Sequence, residues 1–145
     1  MKISRILHTT IILLFFSFTV SFGQQAEKTF VKSFNTEGHI NVLLDLPGKV
    51  EVKTWNNDIV RIQMTVALPH GNDALLTSLV EAGRYNLRSA SGAEGLTIYL
   101  PGLTKEVSIR GKALEEQFSF IVFAPEKIGV KLVGKAAEAV VGLVD

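Results

Sequence analysis

The stretch Leu46–Met64, LPGKVEVKTWNNDIVRIQM, decides the fold. Val50 and Val52 alternate with Lys49, Glu51 and Lys53. After the polar cluster Asn56-Asn57-Asp58 the alternation resumes at Val60, Ile62 and Met64, and runs on through Val66 and Leu68. A period of two sends successive side chains to opposite faces of an extended chain. Each run therefore reads as a strand with one dry and one wet face. Such a rhythm builds a wall, and no nucleophile or metal ligand recurs in it.

The same pattern spreads in both directions. Thr29–Phe34 is rich in β-formers and ends in a turn at Asn35–Gly38; Ile40, Val42, Leu44 and Leu46 then share one face ahead of Pro47-Gly48. Tyr85, Leu87 and Ser89 alternate before the turn Ser91–Gly95. Leu96, Ile98 and Leu100 stop at Pro101-Gly102, and Val107 and Ile109 at Gly111. Phe118–Ala124 is apolar on both faces from Phe120 onward, which predicts a central, covered strand halted by Pro125. Ile128–Val133 reads as a further strand. One segment departs from period two. Asn72 or Asp73 can cap a helix over about residues 74–82, ended by Gly83, with Leu75, Leu76, Leu79 and Val80 on one face. The expected fold is mainly β: a short-stranded sandwich, roll or β-helix-like domain with that one short α-helix. The stripes beginning near Ile40, Val50 and Val60 recur about every ten residues, a spacing that suits a meander.

The chain of 145 residues, 47% hydrophobic, opens with Lys2 and Arg5, an apolar run Ile11–Val20, and small residues at Ser21 and Gly23. That order is a secretory signal peptide over residues 1–23, leaving residues 24–145 as a single β domain. The apolar run is shorter than the roughly 20 residues a spanning helix requires, so cleavage is expected rather than stable membrane insertion. Beyond the signal, 13 basic residues face 14 acidic ones, which gives no electrostatic reason to expect nucleic acid as a partner. There are no cysteines. That count excludes a disulfide framework, a thiolate nucleophile, a zinc–thiolate site and a lipid-bearing cysteine after the cleavage site. The expected location is the periplasm, the cell surface or the medium.

"GHINVLLDLPGKVEVKTWNNDIVRIQMTV" resembles the opening of the bacterial putative-adhesin family of unknown function, whose domains are like autotransporter adhesin heads. The matching residues are Gly48, Val50, Val52, Trp55, Asn57, Asp58, Val60 and Ile62, followed by "GLTIYLP" and "FSFIVFAPEKIGVKL". Family members commonly continue into Gly- and Asp-rich strand repeats, so this chain resembles a shortened version. The resemblance implies no cofactor, catalytic residue or established ligand; the favoured reading is a non-catalytic, adhesin-like β domain that acts by binding a protein or polysaccharide surface.

The residues themselves carry little chemistry. His39 and His70 lie in different turns, 31 positions apart, without local second ligands, and are read as exposed loop residues rather than metal ligands. Glu115-Glu116 cannot serve as a facing acid pair, because neighbours on a strand point to opposite faces; they are read as solvated charges at a strand entrance. The candidate ligand contacts are Trp55, as a stacking platform or a corner residue, and Arg84 with Arg88, placed on one strand face. No catalytic residue, cofactor or metal site is expected. The alternatives are a structural or sensory envelope component without an external ligand and, last, a cell-wall glycan hydrolase. The apolar run 136–144 is expected to close the last sheet edge or to join a partner's sheet.

Overall fold

The computed structural model describes residues 25–134. The expected signal peptide at 1–23 and the apolar run 136–144 lie outside the described residues. Ten strands form in chain order: β1 (Ala26–Asn35), β2 (Asn41–Asp45), β3 (Lys49–Trp55), β4 (Ile59–Leu68), β5 (Arg88–Gly92), β6 (Gly95–Tyr99), β7 (Ser108–Ile109), β8 (Lys112–Ala113), β9 (Gln117–Pro125) and β10 (Gly129–Leu132). A helix, α1 (Asp73–Glu81), lies between β4 and β5, and a 3-10 turn spans Pro101–Thr104. The described residues are mainly β with one short helix, as the periodicity predicts.

One sheet runs β1-β4-β9-β3 and a second runs β10-β2-β6-β5, with β7 and β8 forming a separate small hairpin. The inner faces of the two large sheets share one apolar core. Val60, Ile62, Met64, Val66 and Leu68 of β4 are fully buried in it, as their uninterrupted stripe predicts. Val42 and Leu44 of β2, Leu96 and Ile98 of β6, and Phe120 and Val122 of β9 face them.

The topology corrects the meander. β3 and β4 are joined by a short turn yet do not pair: β9 inserts between them, antiparallel to β4 and parallel to β3. β2 belongs to the other sheet and crosses to β3 through Leu46-Pro47-Gly48. Period two reports which face a residue takes but not which strand lies beside it. The predicted central position of β9 does hold, since it has a neighbour on each side. Ile40 leaves its expected stripe: β2 begins at Asn41, and Ile40 is 72% exposed in the preceding turn.

The two margins of the sandwich differ. At one, Lys32 Nζ of β1 donates to Leu87 O just before β5 (2.7 Å), Ser91 Oγ of β5 donates to Glu37 Oε2 (2.7 Å), and α1 packs against β1. Leu76 and Leu79 of α1 are buried there. That margin is closed. β3 and β10 edge the opposite margin, where Val52, Ile128, Val130 and Leu132 are only partly buried.

Candidate functional site

The end of α1 builds the densest cluster of side-chain hydrogen bonds among the described residues. Asn72 caps the helix start, its side chain accepting from Leu75 N–H. At the other end Gly83 N–H donates to Val80 O (2.9 Å) and Arg84 N–H to Leu79 O (3.1 Å), the paired bonds of a Schellman motif. Gly83 takes φ +75°, a left-handed conformation that an L side chain would strain. The motif stops the helix and turns Arg84 and Tyr85 inward.

Arg84 then meets Glu116 side by side: Nε donates to Oε1 at 2.8 Å and Nη2 to Oε2 at 2.6 Å. Its Nη1 donates to the carbonyls of Gly102 (3.0 Å) and Lys105 (2.8 Å). Tyr85 O–H donates to the same Glu116 Oε1 at 2.7 Å. Both charged side chains are 9% exposed. Such a bidentate pair is strong and planar. The hydrogen bond to Glu116 raises the Arg84 pKa against the opposing effect of burial. Burial first, then donation to the Glu116 carboxylate, pushes the Tyr85 phenol far above its ordinary value of 10.0. Gly102 packs so close to the Arg84 backbone that a Cβ would collide with it. The cluster ties three segments together: the end of α1, the 3-10 turn and the entry to β9. Phe118 adds an edge-on contact to Tyr85, with centroids 6.0 Å apart.

This arrangement corrects two expectations. Glu116 is no solvated charge; only Glu115 is, where it meets the exposed His70 at 3.2 Å. Arg84 and Arg88 do not share a strand face, because Arg84 sits in the turn after α1 and β5 begins at Arg88. Arg88 is exposed and pairs in register with Tyr99. Composition and spacing single out neither Tyr85 nor Glu116 as a site residue, yet Glu116 has the parity of the inward Phe118 and Phe120, the signal by which sequence can find it.

Trp55 occupies a second site, the turn between β3 and β4. Its indole N–H is not left to water as a corner residue's could be: it donates to Ile59 O at 2.9 Å and so closes the turn. The ring lies 5.6 Å from Phe123 and carries the Arg61 guanidinium 4.8 Å from its centroid. Among the described residues no group of three or more His, Asp or Glu side chains is placed to hold a metal ion. No helix of the described residues is long and apolar enough to cross a membrane.

The fold and these sites define a mainly β protein of two facing sheets, with a part-buried ion pair at one end and an aromatic corner at the other. No protein-family model and no curated protein matches the chain. It is similar to the crystal structure of a "putative cell adhesion protein" from Clostridium sporogenes ATCC 15579, at 13% identity and a TM-score of 0.39. The match covers 74% of this chain and 46% of that one, so the chain spans less than half the length of that relative. A likeness of this extent defines neither fold nor function.

Proposed function

We propose that the chain is an exported, non-catalytic, adhesin-like β domain that works by laying a sheet face against a protein or polysaccharide surface. The observation that carries this reading is the outer face of the β1-β4-β9-β3 sheet. Register places Thr29, Thr65, Ser119 and Lys49 in one row across it. Val31, Gln63, Ile121 and Glu51 form the next row, and Ser33, Arg61, Phe123 and Lys53 the one after. Hydroxyls, amides, charges and apolar groups thus alternate over four strands, with Val31 61% exposed on a ten-residue edge strand. Mixed surfaces of this kind suit contact with a partner whose own face is part polar. The part-buried Arg84–Glu116 pair supports the non-catalytic side of the reading, because the carboxylate already accepts from Arg84 and Tyr85.

The exported protein should bind immobilised cell-envelope polysaccharide or envelope protein in a direct binding assay. Val31→Glu together with Ser119→Lys should abolish that binding while leaving thermal unfolding in place, since both positions are exposed. Binding that survives the double substitution, or release of soluble sugar from the polysaccharide, would refute the proposal.

A further inference from the structure

The open margin of the sandwich carries an inference about self-association. Among the described residues β3 pairs only with β9, and β10 only with β2, so both present a free edge at the same side. The core is unfinished there: Val52, Ile128, Val130 and Leu132 remain partly buried, whereas Val42 and Leu44 of the neighbouring β2 are 0% exposed. A free strand edge with apolar residues behind it is a template for another strand. Lysines on an edge usually discourage such pairing. On β3, however, Lys49, Glu51 and Lys53 alternate in sign along one face, and Glu51 and Lys53 already lie 3.3 Å apart.

We propose that β3 pairs antiparallel with β3 of a second copy of this chain, about a two-fold axis through Val52. The register follows from charge. Centring on Val52 sets Glu51 opposite Lys53 of the other copy, twice per dimer, and Lys49 opposite Trp55. Centring one residue earlier sets Glu51 against Glu51 and Lys49 against Lys53, which repels at every charged position. Opposite charges across a strand pair stabilise it and like charges destabilise it. The favoured register also sets Val52 against its own copy, which adds cover to the β3 side of the half-covered margin. A symmetric, self-complementary interface of this sort closes at two copies. Lys49, Glu51 and Lys53 also belong to the proposed contact rows, but the association state is read without reference to what that face binds.

The test uses the exported protein with its C-terminal residues in place. Sedimentation equilibrium should show a dimer. Lys53→Glu and Glu51→Lys should each weaken it about tenfold, because two attractive pairs become repulsive. The combined Glu51→Lys/Lys53→Glu protein restores opposite signs at both pairs and should dimerise like the original. A second measurement does not depend on those charges. The chain has no cysteine, so Val52→Cys should oxidise to a covalent dimer, since residues facing each other on the axis have Cα atoms about 5 Å apart. Lys53→Cys should not, because its own counterpart then lies about 8 Å away, beyond disulfide reach. A monomer in the original protein overturns the proposal, whether the margin is covered by residues 135–145 or left bare. So do single variants that dimerise undiminished, a charge swap that fails to restore, or equal cross-linking at both cysteine positions.

Discussion

Replacing Arg84 by Met would remove the cation paired with Glu116. Both side chains are part-buried, each 9% exposed, so water can compensate for the loss only in part. The Glu116 carboxylate would keep the Tyr85 hydroxyl but lose two charge-assisted donors, and the carbonyls of Gly102 and Lys105 would lose theirs. Breaking one side of a buried pair costs about 3–5 kcal/mol. The lower end, about 3 kcal/mol, fits a pair that is part-buried rather than at the core's centre. With a urea m-value of about 1.5 kcal/mol/M for a domain this size, the unfolding midpoint should fall by about 2 M. The double variant Arg84→Met/Glu116→Leu removes the stranded charge and should recover at least half of that loss. Urea titrations followed by Trp55 fluorescence and by far-ultraviolet circular dichroism measure both variants. A single variant that costs less than about 0.5 kcal/mol, or strictly additive behaviour in the double variant, would refute the assignment of a structural clamp.

Tyr85 gives a pH dependence. Its folded pKa is raised, so its contribution is complete below the ordinary value of 10.0 and is lost as pH rises beyond it, where the unfolded chain ionises first. The stability difference between the original protein and Tyr85→Phe should therefore be constant from neutral pH to about 10 and shrink above it, as measured by urea titration at stepped pH. Replacing His39 and His70 together by Gln should shift stability by no more than about 0.5 kcal/mol and leave any bound metal content unchanged, as elemental analysis would report. The exported protein should begin at Gln24; mass spectrometry of the secreted or periplasmic fraction checks this, and an intact Met1 in the membrane fraction would contradict it.

How much of this was legible follows from what period two encodes. The alternation of β4 located five of the core's buried residues, and the apolar run Phe120–Ala124 located the central strand. Asn72 and Gly83 marked both ends of the helix to within a residue, because caps are local hydrogen-bond devices. Pairing is not local. Nothing in Leu46–Met64 announces that the distant strand Gln117–Pro125 separates its two halves. The Arg84–Glu116 pair escaped for the same reason: 32 residues divide the partners, and two adjacent glutamates invite a solvent reading until parity assigns one of them inward.

The insertion of β9 also explains why the contact face and the clamp belong to one design. β3 and β4 look like a hairpin, yet neither can complete the sheet until β9 arrives between them. Each proposed contact row therefore runs through β9, at Ser119, Ile121 or Phe123. Glu116 sits immediately before that strand, and its bonds to Arg84 and Tyr85 fix where β9 enters. A shift of β9 by one residue would turn Ile121 and Phe123 inward and Phe120 and Val122 outward, exchanging core for surface. A bidentate ion pair has a narrow geometry, so it can resist such a slip where apolar burial alone is less particular. On this view the buried charges serve register, and register is what sets the alternating surface presented to a partner.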